Sequence, residues 1–485
     1  MKFHEVLKDL IHLSGLKYKD IAEQLRYDSS YISKWVNGKN LPNISNDPNL
    51  FRNLSKIIST EIIEKGKTSE LKEMSVRNVP IDNINFAKLF VYSLLHDSYY
   101  ATTQRENNLF AKSSDVVLGY YKIMETTFHL INLAVVNSVN SVDLYSNLNI
   151  NKALGTNDVS LERFYSTLGV EINYHYMTYE NIDSFDDRLL GLLDHWVIRS
   201  QFINNYIYRP LNRLQQYYIY IRNFVTIFVA LDSNGKPIMM SYTFDKGIQS
   251  EMSSFIDQNF STTNLIMGSR SGDTVESDVF SSSLVDGNEF LFHMSYLETF
   301  FISNELLEDL LKRRNVPPSR IESALWTQKL SRQLSTSLPL TLCYRRKALN
   351  HSFQNKEIVL GSYILHLSDG EMIRFITEYI EYVEKADNLR IFISPRDIFP
   401  HRHGSTSMSF IADRYNIMYK RNPRYTDKYI KDYIVASHNP ATTRIYEMMK
   451  NRLLTSDSLE YSTEEFASLL KNHLNIYEKN KITLG

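Results

Sequence analysis

Apolar residues recur three and four positions apart along the first 65 residues, with polar residues between them. Val6, Leu7, Leu10 and Ile11 mark one helix, which Gly15 ends. Ile21, Ala22 and Leu25 share a face of a second short helix, from about Tyr18 to Leu25. After the break Arg26-Tyr27-Asp28, the pattern predicts a third helix from Ser29 to about Asn37. Asp28 is its N-cap, since a carboxylate there accepts from backbone N–H groups that a helix start leaves unpaired. Gly38 stops this helix in the left-handed conformation, and Pro42 prevents its return. Phe51, Leu54, Ile57, Ile58 and Ile62 predict a fourth helix, from about Pro48 to Lys65, that closes the bundle.

Residues 66–80 are polar and end in Pro80, which predicts a linker. From Ile81 onward helical and extended patterns alternate. Helices are expected at 86–98, 116–137, 289–314 and 370–385, and again beyond 425. Extended runs are expected at 142–150, 170–177, 358–367 and 389–394. The clearest hairpin spans 224–244, where Asn234-Gly235 is the strongest turn signal in the chain. Helix 116–137 leads into a strand much as helix 370–385 does, an echo that suggests two related halves, about 81–285 and 286–485. The expected fold class is multidomain, α plus α/β: an all-α bundle over 1–65, a linker over 66–80, and a large mixed α/β body over 81–485.

Composition narrows the function. Hydrophobic residues make up 43% of the 485 and charged residues 22%, an ordinary globular balance. Lys plus Arg number 54 against 55 Asp plus Glu, which argues against a globally basic nucleic-acid coat and leaves room for a small local surface. The single cysteine, Cys343, excludes an intrachain disulfide and a multi-thiolate metal site. With no signal-peptide pattern after Met1 and no apolar run near the length of a membrane span, a cytoplasmic protein without membrane attachment is expected.

Two short helices joined by a tight turn are the helix-turn-helix arrangement, which needs a small residue where the helices approach and apolar residues to lock their crossing. Ala22 supplies the first, and Ile21, Leu25, Ile32 and Trp35 the second. The stretch Tyr18 to Gly38, with its Ile32-Ser33-Lys34-Trp35 run and the Leu41-Pro42 that follows, resembles the DNA-reading unit of phage-repressor or XRE-type regulators. Two positions depart from that family's pattern: Arg26 stands where a turn glycine is usual, and Val36 where an acidic residue is common. The resemblance covers about 60 residues and implies that the third helix enters the major groove. Ser29, Ser30, Tyr31 and Lys34 then face base edges, Tyr18, Asn37 and Lys39 suit phosphates, and Ser33 is counted with them as a DNA-binding residue. Residues 1–45 carry seven basic and five acidic residues, too small a surplus for tight binding by one copy, so a homodimer on an inverted repeat of double-stranded DNA is expected.

The rest of the chain shows no phosphate-loop or dinucleotide fingerprint, and no cofactor, metal or catalytic residue is expected. Gly268-Ser-Arg-Ser-Gly272 reads as a polar connection. His401 and His403 could share a metal from an extended segment, but lack an obvious third ligand and read as a solvated loop. Cys343 lies in an apolar run and is expected to pack. The stretch 312–347 holds nine basic residues against Glu322 alone; it could contact DNA backbone or an anionic ligand or peptide, and reads more readily as a surface face neutralised by nearby acids, among them Glu308 and Asp309. The leading expectation is a transcriptional regulator whose body dimerises and senses a small ligand or peptide. The rivals are an enzyme targeted to nucleic acid by the head, and a partner-binding control protein of a phage or plasmid.

Overall fold

The computed structural model describes residues 2–43, 47, 50–74, 87, 88, 90–92, 94, 95, 98, 99, 102, 114–138, 141–148, 150, 170–178, 203–210, 216–294, 296–361, 363–394, 409–421, 431–455 and 458–484. The chain combines helices with β-sheet and divides into two compact units, the first built on 1–179 and 200–265, the second on 266–426 and 431–485.

The first unit opens with helices only: α1 (Phe3–Ser14), α2 (Tyr18–Leu25), α3 (Ser29–Val36), α4 (Leu50–Glu64) and α5 (Thr68–Glu73). Their apolar stripes meet in one cluster that includes Phe3, Leu10, Ile21, Ile32, Trp35, Leu54 and Ile58. Two findings move the boundary expected at 65. Residues 68–73 of the expected linker form α5, which buries Leu71 in this cluster. Helical residues between 87 and 99, expected in the body, complete the same core through Phe90, Val91, Leu94, Leu95 and Tyr99. Tyr99 packs edge-on against Phe3 and Phe51 and donates to the Pro42 carbonyl at 2.9 Å. The Phe3 N–H donates to Thr102 Oγ1 at 2.8 Å. The head therefore uses residues to at least 102, because a bundle this small needs the extra apolar face to bury its own.

The sheet of the first unit contains β1 (Ser114–Leu118), β2 (Ser141–Ser146), β3 (Glu171–Met177), β4 (Asn204–Tyr208), β5 (Tyr217–Ile221), β6 (Val225–Leu231) and β7 (Pro237–Thr243). Their hydrogen-bonded order is β1-β7-β6-β5-β2-β3-β4. Strands β2, β3 and β4 run parallel, and the other neighbours are antiparallel. Helix α6 (Tyr120–Asn137) links β1 to β2, and α7 (Lys246–Asn259) follows β7. The hairpin expected at 224–244 is present as β6–β7, with Gly235 left-handed and the Asp232 carboxylate accepting from Asn234 and Lys236 N–H groups. The helix expected from 116 begins only at Tyr120, because 114–118 pairs with β7 instead.

The second unit holds β8 (Leu265–Arg270), α8 (Val275–Asp286), β9 (Phe290–Met294), α9 (Asn304–Lys312), α10 (Pro318–Ser337), β10 (Leu340–Arg345) and α11 (Arg346–Asn355). It continues with β11 (Glu357–Leu360), β12 (Tyr363–His366), α12 (Asp369–Lys385), β13 (Leu389–Ser394), β14 (Ser409–Ala412), β15 (Asn416–Lys420) and β16 (Tyr433–Ser437), then α13 (Pro440–Thr455), β17 (Leu459–Tyr461) and α14 (Thr463–Leu484). Its order is β8-β16-β15-β14-β9-β10-β13-β17, with β9, β10 and β13 parallel. With β17 set aside, this is the order of the first unit: a strand and helix, three parallel strands, then a meander that returns to the first strand. The units thus repeat one topology, and the repeat begins near 265 rather than 286. The corresponding pairs are α6–β2 and α8–β9, so the match expected between helix 116–137 and helix 370–385 was out of step.

The helix expected over 289–314 divides into β9, a short turn and α9. All five residues of β9 are buried, so both faces are enclosed and the strand carries no clear alternation to distinguish it from a helix. The extended run 358–367 is a small hairpin, β11–β12, turned at the left-handed Gly361. Beyond 425, β16 and β17 accompany the expected helices. Cys343 is buried on β10.

Candidate nucleic-acid interface

Helices α2 and α3 are joined by Arg26, Tyr27 and Asp28. Arg26 adopts φ 60° and ψ 38°, the left-handed conformation that the resemblance associates with glycine. Its N–H and that of Tyr27 return to the carbonyls of Glu23 and Ala22, which ends α2 within one residue. Asp28 then caps α3 by accepting from the Ser30 N–H at 2.8 Å, and Ser30 holds this carboxyl below its ordinary range. Its contribution to the cap is present above the ordinary carboxylate range and lost as pH falls through the lowered value. A side chain in the left-handed region costs roughly 1 kcal/mol, and that of Arg26 is exposed. Arg26→Gly should therefore stabilise the head by about 0.5–1 kcal/mol, seen as slower amide exchange in α1–α4, whereas Arg26→Val should speed it.

The five residues expected to lock the crossing, Ile21, Ala22, Leu25, Ile32 and Trp35, are all buried. Val36 is buried too, which accounts for an apolar residue there. The other side of α3 faces solvent: Ser29, Ser30, Tyr31, Lys34 and Asn37 are exposed, as is Lys39 beyond it, while Ser33 is half-buried. Asn37 Nδ2 donates to the Ser33 carbonyl at 2.8 Å and to its hydroxyl at 3.3 Å, tying down the end of the helix. Tyr18 is half-buried and packs against the cluster with part of its ring. Gly38 is left-handed, a conformation that favours glycine, and a Cβ there would meet the His4 ring at 3.0 Å, close enough that the ring would have to shift.

Tyr27 was not among the expected site residues. Its ring lies 5.3 Å from Trp35 and 6.1 Å from Tyr31, and its hydroxyl donates to Asp47 Oδ2 at 3.2 Å. Desolvation, then the nearby Asp47 carboxylate, raise the Tyr27 hydroxyl above its ordinary range. The signal was in the sequence as aromatic residues four apart, Tyr27, Tyr31 and Trp35.

A second cluster of polar groups lies in the second unit, fully enclosed. Lys420 Nζ is 2.7 Å from Glu298 Oε2 and 3.0 Å from Glu276 Oε1. Tyr433 donates to Glu276 at 3.3 Å, and Ser409 to Glu298 at 3.3 Å. Burial pushes the Glu298 carboxyl up to about 7, against the pull of Lys420. Burial works against the charge on Lys420, but Glu276 and Glu298 outweigh it and raise the ammonium above its ordinary value. No short-range spacing links these residues, so the sequence alone did not bring them together.

At least four of the nine basic residues in the stretch 312–347 meet an acidic partner. Lys312 meets Glu308, Arg313 meets Asp309, Arg314 meets Glu371 and Arg320 meets Asp273. His401 and His403 lie outside the described residues. Among the described residues, no helix is long and apolar enough to cross a membrane.

No family model matches the chain, and no curated protein matches it. Solved structures that the chain matches weakly include the archaeal chromatin protein TrmBL2, at 12% identity over 45% of this chain and 69% of that one, with a TM-score of 0.22. They also include the polyphosphate kinase of Porphyromonas gingivalis, at 10% identity over 78% and 58%, and the phosphatidylserine synthase of Haemophilus influenzae, at 8% over 77% and 94%. Both of these have TM-scores of 0.23, and at that level none of the three bears on what this chain does.

Proposed function

We propose that this chain is a sequence-specific DNA-binding transcriptional regulator of the cytoplasm, with α2 and α3 acting as an XRE-type helix-turn-helix. The observation that carries this reading is the division of α3. One side is locked into the core through Ile32, Trp35 and Val36, while the other offers Ser29, Ser30, Tyr31 and Lys34 to solvent on a rigid, capped helix. A helix held in that way can enter a major groove without rearranging. Serine hydroxyls and a lysine ammonium supply donors and acceptors for base edges, and Asn37, Lys39 and the exposed part of Tyr18 suit phosphates. The weak basic surplus of the head calls for two copies on an inverted repeat, and the body is proposed to hold the copies together and to sense a small ligand or peptide. A ligand would act by binding more tightly to the arrangement that sets the heads at operator spacing.

The test is selection of bound sequences from a random duplex pool by the full chain at stated low salt. Enrichment of an inverted repeat is the expected result, and its absence overturns the reading. Ser30→Ala with Lys34→Ala should weaken the selected sequence about ten- to hundred-fold while leaving the head folded, because both side chains are exposed and lie outside its buried cluster. Full affinity in the double variant would refute the assignment of α3 as the reading helix.

A further inference from the structure

Resting on the proposal that α3 reads DNA, we infer that the ring of Tyr31 recognises the C5 methyl group of a pyrimidine in the major groove. The side chain is 49% exposed, yet it is held. Its ring lies 6.1 Å from Tyr27 at an interplanar angle of 74°, and 6.5 Å from Trp35 at 53°. Trp35 is buried in the head, and Tyr27 is anchored by its own contact with Trp35 and by its bond to Asp47. The Lys34 ammonium sits 5.5 Å from the ring centre, covering part of the Tyr31 ring. Swinging Tyr31 away would break these contacts, so the ring presents a fixed surface at little entropic cost.

The chemistry of the neighbours narrows what that surface can read. Ser29, Ser30 and Lys34 offer only hydrogen-bonding or charged groups at their tips. Tyr31 alone brings a large apolar surface to the exposed part of α3. The major groove displays donors and acceptors on every base pair, but one apolar feature only, the pyrimidine C5 methyl, carried by thymine and by 5-methylcytosine. A rigid ring edge among polar side chains therefore discriminates by that methyl group.

The experiment uses the full chain and the duplex obtained by selection, prepared with thymine, with uracil at the same positions, and with cytosine or 5-methylcytosine in place of each thymine. Uracil removes the methyl and leaves every hydrogen-bonding edge unchanged. The parent should bind the uracil duplex about three- to five-fold more weakly per contacted methyl, the worth of burying one such group. Tyr31→Ala should bind both equally, with unchanged helix content by circular dichroism, and Tyr31→Phe should discriminate as the parent does. A gain on replacing cytosine by 5-methylcytosine identifies the modified base as a source, and its absence leaves thymine. Equal binding of thymine and uracil duplexes by the parent overturns the inference while DNA reading stands. Discrimination retained in Tyr31→Ala, or lost in Tyr31→Phe, also overturns it, since another residue or the hydroxyl would then be responsible. If no duplex is selected at all, it is the DNA-reading proposal that fails, and this inference with it.

Discussion

Replacing Lys420 with methionine should destabilise the second unit by about 3–5 kcal/mol at pH 8, because it leaves two carboxylates buried without their counter-ion. Glu276 and Glu298 are each almost wholly enclosed, and both rely on the same ammonium, at 3.0 and 2.7 Å. Tyr433 and Ser409 each donate one hydrogen bond to them, too little to replace a positive charge. The loss should shrink as pH falls, because burial already raises the Glu298 carboxyl and its protonation removes one of the two uncompensated charges. In the parent protein the sign runs the same way. Glu298 titrates at about 7 when folded and near 4.5 when unfolded, so the folded state binds the extra proton between those values. Its contribution is fully present below pH 4.5 and is lost as pH rises through 7. Glu298→Gln should flatten that slope and keep a hydrogen bond to Lys420. The raised value of Lys420 matters only above its ordinary range, so it does not interfere at neutral pH. Thermal melts at pH 5, 6, 7 and 8 decide the matter. If the Lys420→Met protein melts with the parent at pH 8, the cluster is not buried as described.

The cluster also shows why part of this protein was legible in its sequence and part was not. Local signals survived. Asp28, Gly15 and Gly38 marked helix ends because caps depend on residues a few positions away, and Asn234-Gly235 marked a hairpin for the same reason. Arg26 was readable as an unusual occupant of a position where a turn glycine is common, and the structure gives it a left-handed backbone. Non-local facts were not readable. Leu71 is one apolar residue in a polar stretch, so nothing nearby announced that it packs into the head. The Phe290–Met294 run is buried on both faces and carries neither the period of a strand nor that of a helix. The repeated strand order depends on which strands pair across the sheet, so an echo sought in neighbouring elements matched the wrong partners. The exposed side of α3 followed from helical spacing, whereas Glu276, Glu298 and Lys420 come from three separate segments of the chain, and only the fold unites them.

Trp35→Ala should cost the head about 3–5 kcal/mol, the ordinary loss for a large aromatic removed from a packed interior. Trp35 is 3% exposed and lies in the same cluster as Ile21, Leu25 and Ile32. The helices around it are short: α2 and α3 have eight residues each, well below the length at which a helix is stable alone in water. Their persistence depends on this shared core, so the cavity would not stay local to α3. Amide exchange in α1–α4 should accelerate about a hundred- to several-thousand-fold, the opening constant that such a loss implies. The sheet strands of the second unit should exchange as before. DNA binding should fall in parallel, since Tyr27 and Tyr31 lose the ring against which both rest. That distinguishes Trp35→Ala from Ser30→Ala with Lys34→Ala, which should lose binding with a far smaller change in exchange. Trp35→Phe should recover most of the protection, because a phenyl ring keeps the contact with Tyr27 and fills most of the space. Unchanged exchange in Trp35→Ala would mean that the crossing of α2 and α3 is held by something other than this residue. The rigidity on which both base reading by α3 and methyl recognition by Tyr31 depend would then have lost its physical basis.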